Sequence, residues 1–156
     1  ALLEEIPEIM KIYEAARCFM AEHGNPTQWI NGYPSEELVT EDCKKGELYV
    51  CVSDEEIAGV FMFTKKPDIT YREIFQGKWL NEKPYGTMHR MASSGIQKGV
   101  SSFCLDWCFK QCGNVRGDTH NDNYVMQKVF EKNGFKRCGI IYVEDGTPRI
   151  AYQREN

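Results

Sequence analysis

The stretch at residues 93–102, SSGIQKGVSS, carries two glycines four positions apart. Before it, residues 87–92 alternate as a strand does, and after it residues 100–112 repeat apolar side chains at helical spacing. The glycines allow a tight turn, and the first turn of the helix presents unpaired amides with a partial charge of about +0.5. This order favours binding of phosphate oxygens, with an ordinary strand-to-helix turn as the alternative.

Two well-known phosphate motifs do not fit this loop. The P-loop motif GxxxxGK[ST] requires a wider spacing than that of Gly95 and Gly99, and Gly99 is followed by Val100 instead of lysine. The dinucleotide fingerprint GxGxxG is absent. The loop therefore disfavours both kinds of nucleotide binding.

The segment before residue 65 reads as two helices followed by two strands. Residues 4–22 place apolar side chains at helical spacing until the breaker Gly24-Asn25-Pro26, and residues 35–46 predict a shorter helix. Residues 48–52 and 57–63 are rich in β-formers and are joined by an acidic turn, which predicts a hairpin.

The rest of the chain alternates strands and helices. A long connection at residues 65–84 precedes the strand that leads into the glycine loop, and a connection of that length is more often functional than idle. After the loop helix we predict a strand, a helix and two strands, at residues 114–119, 123–133, 135–141 and 149–152. The fold class is therefore α/β (α+β), with a mixed sheet and helices on its faces.

Composition narrows the class of protein further. A chain of 156 residues, 42% hydrophobic, predicts one compact domain over residues 1–156. A net charge of -4 gives no basic field for a phosphate backbone, so we expect no nucleic acid partner. Seven cysteines without a CxxC pair indicate reduced thiols and no metal site. No apolar run of membrane-spanning length and no signal pattern occur, which predicts a cytoplasmic protein without a membrane partner.

A wider pattern connects the loop with a second motif. His89 to Ser93 precede the loop, and Asn123, Phe130, Gly134 and Phe135 follow at the spacing Asn-x6-aromatic-x3-Gly-Phe. Together these residues resemble the GNAT superfamily of acyl-CoA-dependent N-acetyltransferases, and in particular bacterial members of unassigned substrate. The resemblance covers residues 4–153 and implies a mixed, mostly antiparallel sheet with splayed central strands. The family's first strand would precede Ala1.

The resemblance implies acetyl-CoA as co-substrate and no metal. In the family, the stretch that corresponds to residues 96–101 reads Gln/Arg-x-x-Gly-x-Gly/Ala and binds the CoA pyrophosphate, whereas here it begins with Ile96 and ends with Ser101. The pantetheine arm pairs with the strand before the loop. The cofactor-binding residues implied are Met91, Ala92, Ser93, Ile96, Gln97, Lys98, Gly99, Val100, Ser101, Ser102, Asn123 and Phe130.

Acetyl transfer to an amine requires an uncharged nitrogen, and on the order of one lysine-like amine in a thousand is neutral at pH 7. Histidine titrates near neutrality, so His89 is the first candidate base, directly or through a water, and His120 is the second. Strand alternation would set Thr87, His89 and Met91 on one face. A structural strand histidine is the alternative reading of His89.

The family commonly protonates the leaving thiolate with a tyrosine, and that position is Phe130 here. Either Tyr124, Tyr142 or water replaces it, or the thiolate leaves without a proton donor. The acceptor site of the family lies in the irregular regions, which here contain the candidates Trp29, Tyr33, Tyr71, Glu73 and Trp79.

The sequence thus predicts an N-acetyltransferase that moves an acetyl group from acetyl-CoA to a primary amine, directly and in a ternary complex. A small-molecule amine or a peptide amine is the expected acceptor, and a monomer or a homodimer the expected assembly. The altered glycine motif and Phe130 leave one alternative open, a non-catalytic CoA-binding sensor or interaction domain.

Overall fold

The computed structural model describes residues 1–156. It has a mixed α+β fold, in which six strands form one mostly antiparallel sheet in the order β1-β2-β3-β4-β6-β5. The elements along the chain are α1 (Ile6–Glu22), α2 (Glu36–Lys44), β1 (Leu48–Ser53), β2 (Glu56–Thr64), β3 (Gly86–Ser93), α3 (Val100–Cys112), β4 (Asn114–Thr119), α4 (Tyr124–Lys132), β5 (Lys136–Tyr142) and β6 (Pro148–Glu155). The predicted fold class is confirmed, and every predicted helix and strand is present within a few residues of its expected bounds.

The chain divides into two compact units. Unit 1 comprises Ala1–Phe63 and His89–Cys104, and unit 2 comprises Thr64–Met88 and Leu105–Asn156. None of the helices combines the length and the apolar character that a membrane span requires.

Unit 1 is built around one hydrophobic cluster. Helix α1 contributes Ile9, Ile12 and Tyr13, which recur at helical spacing and are fully or almost fully buried, and α2 contributes Val39. The helix ends where Gly24 takes a left-handed conformation, with φ of +82°. Helix α2 starts at a serine cap, because the Ser35 hydroxyl accepts a hydrogen bond from the Leu38 N–H at 3.1 Å.

Unit 2 contains the three strands β4, β6 and β5, paired antiparallel. Helix α4 begins at Asn123, whose side-chain oxygen accepts from the Met126 N–H at 3.1 Å, and ends before Gly134, whose φ is +83°. The asparagine and the glycine of the second sequence motif therefore define the two ends of one helix.

The long connection at residues 65–84 is not irregular throughout. Phe75 and Ile140 exchange two backbone hydrogen bonds of 2.8 Å, and the Lys78 N–H donates to the Cys138 carbonyl at 3.0 Å. Gly77 permits this approach, because a Cβ there would overlap the Cys138 carbonyl. The connection thus covers the outer edge of β5. An edge strand without such a cover could pair with strands of other chains.

Gly117 in β4 is required by the aromatic packing of unit 2. Phe130 is 1% exposed and stacks on Tyr152 with ring centroids 4.8 Å apart. A Cβ at Gly117 would lie 2.7 Å from the Cζ atom of the Phe130 ring. Normal carbon contacts are longer than 3.4 Å, so the ring and the strand approach closely only because position 117 lacks a side chain.

We therefore predict that Gly117→Ala lowers the free energy of unfolding by about 1–3 kcal/mol, because the ring has to shift. Without that contact, alanine in a strand would stabilise the fold relative to glycine. The measurement is denaturant unfolding of Gly117→Ala, Phe130→Leu and the double variant. We expect losses that are less than additive, since Phe130→Leu removes the atoms that clash. Strictly additive losses would contradict the assignment.

Candidate functional site

The glycine loop of unit 1 is an exposed, left-handed turn. Gly95 has a φ of +84° and Gly99 a φ of +79°, a conformation that glycine adopts without steric cost. At both positions a Cβ would have no heavy atom within 4 Å. The open side of this backbone leaves room for a ligand to reach the main chain.

The start of the loop is held by hydrogen bonds to the sheet of unit 1. The Ser94 N–H donates to the Ala58 carbonyl at 2.9 Å, and the Gly95 N–H donates to the Ser93 hydroxyl at 3.3 Å. Farther along, the Gln97 side chain is hydrogen-bonded to the Ser53 hydroxyl in β1. The loop is therefore anchored while its glycine backbone stays exposed.

Helix α3 begins directly after Gly99. Its ladder starts with the Phe103 N–H, which donates to the Gly99 carbonyl at 3.0 Å. The amides in the first turn of an α-helix point toward its N-terminal end, and no acidic side chain lies in the first turn of α3. Gly59 in β2 allows Val100 to pack against the sheet, because a Cβ at residue 59 would lie 2.6 Å from the Val100 Cγ1 atom. An open backbone and a helix N-terminus without carboxylates fit a ligand with phosphate oxygens.

The predicted cofactor residues fall mostly into one continuous segment of unit 1. Ala92 and Val100 are buried, residues 96–99 are exposed, and Met91, Ser93, Ser101 and Ser102 are half-buried. The structure thus brings together residues 91–102 as a strand end, a loop and a helix start. Asn123 and Phe130 belong to unit 2.

Strand β3 departs from the regular alternation that the sequence predicts. Arg90 has a φ of +53°, a left-handed conformation that is rare for a residue with a side chain. It separates His89 from Met91, and both of these are half-buried whereas Thr87 is fully buried. The regular alternation from which a shared face of Thr87, His89 and Met91 was predicted is therefore interrupted between His89 and Met91.

Four hydrogen bonds fix Arg90 inside unit 1. Its Nε and Nη2 atoms donate to the two carboxylate oxygens of Asp42, each at 2.9 Å, and its Nη1 donates to the Tyr33 hydroxyl at 3.1 Å. The Tyr13 hydroxyl donates to the Arg90 carbonyl at 2.7 Å. We call Tyr13, Tyr33, Asp42 and Arg90 the Arg90 cluster.

Charge pairing and burial both act on the Arg90 cluster. Burial raises the pKa of Asp42 although Arg90 opposes the shift. Burial alone would lower the pKa of Arg90, but Tyr33 and Asp42 raise it above its usual value. Burial also raises the pKa of Tyr13, so this phenol keeps the proton that it donates to the Arg90 carbonyl.

The aromatic candidates for an acceptor site separate into two groups. In unit 1, Trp29 is half-buried and packs edge to face on Tyr33, with ring centroids 6.2 Å apart, and Tyr33 is 37% exposed. In unit 2, Tyr71 and Trp79 are almost completely buried in a hydrophobic cluster, and the Trp79 indole N–H donates to the Tyr71 carbonyl at 2.9 Å.

Tyr71 and Trp79 contribute to core packing and are therefore left out of the proposed acceptor site. Their sequence context in a long connection indicated an open pocket, but this segment folds back on β5 and buries them. Glu73, in the same segment, is exposed.

His120 lies after β4 in unit 2, and its ring is fixed by one backbone hydrogen bond. The Asp122 N–H donates to the His120 Nδ1 atom at 3.0 Å, so in the neutral ring the proton is carried by Nε2. Burial and the nearby Arg149 lower the pKa of His120, and Asp122 partly offsets this. The neutral ring is therefore favoured, and its Nε2–H group is a hydrogen-bond donor.

Tyr142 and Phe130, the other two candidates in unit 2, have contrasting surroundings. Tyr142 is 45% exposed at the end of β5 and packs edge to face on Phe75, with centroids 5.4 Å apart. Phe130 is buried against Tyr152 and Gly117, so its ring is left out of the proposed cofactor site.

Sequence reasoning missed the Arg90 cluster. A partial signal was present, because Asp42 lies three residues after Val39 on the buried side of α2, where an unpaired carboxylate is costly. Its partner is 48 residues away in a strand, and nothing in a single sequence connects the two.

No protein-family model matches the sequence, and no curated protein matches it at a significant level. Solved structures do match. An acetyltransferase of the GNAT family from Streptococcus agalactiae is 30% identical with a TM-score of 0.91, over 100% of this chain and 92% of that one. A GNAT family acetyltransferase from Listeria monocytogenes is 18% identical with a TM-score of 0.73, over 100% and 92% of the two chains.

A third match is the aminoglycoside acetyltransferase AAC(6')-Ib in complex with coenzyme A and kanamycin. It is 18% identical with a TM-score of 0.60, over 97% of this chain and 91% of that one, and at this identity the likeness concerns the fold. The similarity to the streptococcal protein extends over the whole chain. The chain therefore belongs to the GNAT family of acetyltransferases.

Proposed function

We propose that this acetyltransferase moves an acetyl group from acetyl-CoA to a primary amine, directly and in a ternary complex, with residues 1–156 acting as one domain. The observation that carries the proposal is Gly99, a left-handed residue with open space around it, directly before the N-terminus of α3. Membership of the GNAT family supports acetyl transfer. The coenzyme A in the AAC(6')-Ib complex supports CoA as the acetyl carrier.

The loop backbone is the proposed holder of the CoA pyrophosphate. The amides at residues 97–102 lie in the exposed turn and the first turn of α3, where the helix dipole favours negative charge. Lys98 is exposed beside Gly99 and adds a cation. The backbone of residues 91–93 is the proposed partner of the pantetheine arm, and Asn123 stays a proposed contact of unit 2.

Bound acetyl-CoA would supply a thioester, whose carbonyl carbon is the site of attack by the amine nitrogen. His89 is the proposed base that accepts the proton of the amine, directly or through a water. The amides of β3 are proposed to polarise the thioester carbonyl. Tyr142, Tyr124 or a water is the proposed proton donor to the leaving thiolate. His120, the second candidate base in the sequence, has its Nδ1 atom engaged by the Asp122 N–H, so its neutral ring is proposed only as a hydrogen-bond donor through Nε2.

The proposed acceptor is a cationic small molecule or a peptide amine. The net charge of -4 favours cations, and Trp29, Tyr33 and Glu73 provide exposed or half-buried aromatic and acidic groups. AAC(6')-Ib is named as an aminoglycoside acetyltransferase, which supports amines of low molecular weight as the first class to screen.

Calorimetric titration with acetyl-CoA, CoA and ATP tests the proposal first. We expect acetyl-CoA to bind with a dissociation constant of about 1–100 μM, which corresponds to roughly -8 to -5.5 kcal/mol, and ATP to bind far more weakly. Amines are then screened by chromatographic separation of CoA from acetyl-CoA. Binding without release of CoA for any amine would favour a non-catalytic CoA-binding domain, and no binding of acetyl-CoA would refute the proposal.

Gly99→Asp tests the loop. The substitution adds bulk and negative charge at the proposed pyrophosphate position, so we expect the dissociation constant of acetyl-CoA to rise at least about tenfold, measured by the same titration. Gly146→Asp is the matched control, because Gly146 also has a left-handed φ, +81°, and open space around it, but lies in the β5–β6 turn. Equal weakening by both variants would indicate a general effect of backbone strain and contradict the loop assignment.

The proposed base is tested by His89→Ala and His89→Gln. If His89 accepts the proton of the amine, kcat/KM falls by about 10²- to 10⁴-fold. The remaining activity rises with pH as the free amine deprotonates by itself. The measurement is the pH dependence of kcat/KM for an amine found in the screen, with acetyl-CoA affinity as control. A pH profile identical to that of the wild type would exclude His89 as the base.

A further inference from the structure

Arg90 is the feature of unit 1 that the proposed function has not yet used. A left-handed conformation of a non-glycine residue costs about 1–3 kcal/mol and persists only where surrounding contacts enforce it. Glycine at position 90 would avoid this cost. The chain instead carries arginine there, and all four hydrogen bonds of the Arg90 cluster are directed at this one residue.

The contacts of the cluster constrain both the side chain and the main chain of Arg90. At the side chain, the planar guanidinium forms a two-pronged pair with Asp42, an arrangement that lysine cannot reproduce. At the main chain, the Arg90 carbonyl accepts the Tyr13 hydroxyl, and Tyr13 is completely buried. The backbone direction of β3 at residue 90 is therefore determined from two independent sides.

The position of this residue in β3 matters for the chemistry. Arg90 lies between His89, the proposed base, and Met91, the first residue of the proposed pantetheine contact. A left-handed residue rotates the peptide groups on either side of it out of the regular pleat. The conformation of Arg90 thus sets the direction of the β3 amides that are proposed to polarise the thioester carbonyl.

We propose that Arg90 is a positioning residue of acetyl transfer, which uses Asp42, Tyr33 and Tyr13 to hold β3 in the conformation that orients the acetyl thioester. The inference rests on the proposed function. It assigns Arg90 no contact with the substrate and no proton transfer. Tyr33 extends the same network to a loop that carries a proposed acceptor residue, Trp29.

Two changes test the inference without leaving a charge buried alone. Tyr33→Phe removes only the hydroxyl that binds Arg90. The double variant Arg90→Gln with Asp42→Asn removes both charges together, because removal of one partner alone would leave the other uncompensated. Glutamine keeps the cost of a left-handed conformation at position 90, whereas glycine would remove it. Tyr49→Phe is the control for the first change, and Asp106→Asn with Lys110→Gln, which removes an exposed pair of 3.0 Å, is the control for the second.

The readout is the infrared carbonyl band of acetyl-CoA labelled with ¹³C at the acetyl carbonyl, recorded free and bound to each protein. We expect a band at lower wavenumber when acetyl-CoA is bound to the wild type and to both controls. In the double variant the band returns toward the free position while the dissociation constant changes little. With an amine substrate, kcat falls by on the order of a hundredfold in the double variant and by less in Tyr33→Phe, since small misplacements are costly for the reaction.

The outcomes separate the two proposals. A double variant that is folded by circular dichroism, binds acetyl-CoA, and keeps the wild-type band and kcat would overturn the positioning role and leave the proposed function intact. If the double variant lost acetyl-CoA affinity but kept the wild-type band, the positioning role would also be overturned, because that result would assign Arg90 to acetyl-CoA binding. A wild type that binds no acetyl-CoA would refute the proposed function, and the inference with it.

Discussion

The left-handed conformation of Arg90 is the local constraint on which the proposed chemistry of unit 1 depends. Its cost of about 1–3 kcal/mol is offset by a buried ion pair and two phenol hydroxyls. A buried pair of this kind adds little net stability over an apolar pair, but loss of one partner is expensive, about 3–5 kcal/mol. The cluster therefore specifies one arrangement of α1, α2 and β3 more than it stabilises the fold. The hydrophobic cluster around Ile9, Tyr13 and Val39 supplies the stability.

Much of the fold could be predicted from the sequence because its local signals agree with its tertiary structure. Helix α3 and strand β4 have the predicted bounds, and α4 lies between the predicted asparagine cap and Gly134. In each case a turn or cap residue coincides with the end of a periodic apolar pattern. The structure of the connection at residues 65–84 could not be predicted in this way. Its pairing with β5 depends on backbone hydrogen bonds between Phe75 and Ile140, which are 65 positions apart. Long-range pairing of single residues leaves no periodic pattern in the sequence.

The candidate site also has features that the sequence predicts and features that it does not. The glycine loop was predictable, since left-handed glycines before a helix are a local feature. Exposure of aromatic residues was not, because Tyr33 and Tyr71 both lie in stretches without a periodic pattern but are 37% and 1% exposed. The Arg90 cluster joins residues from α1, the loop before α2, α2 and β3, so only the folded chain brings it together. Single-sequence reasoning identifies the backbone part of this site better than its side-chain part.

The packing of unit 2 accounts for a phenylalanine at position 130, where the resemblance to the family implied a tyrosine. The Phe130 ring lies against Gly117 and Tyr152, so its para position faces the backbone of β4 at close contact. Under the proposed function, this removes one proton donor for the thiolate. For a thiol with the cysteine pKa of ~8.5, deprotonation at pH 7 is opposed by about 2 kcal/mol, whereas an amine of pKa ~10.4 requires about 4.6 kcal/mol to lose its proton. Under the proposed function the larger energetic demand lies on the amine, so this protein would depend more on its base than on its acid.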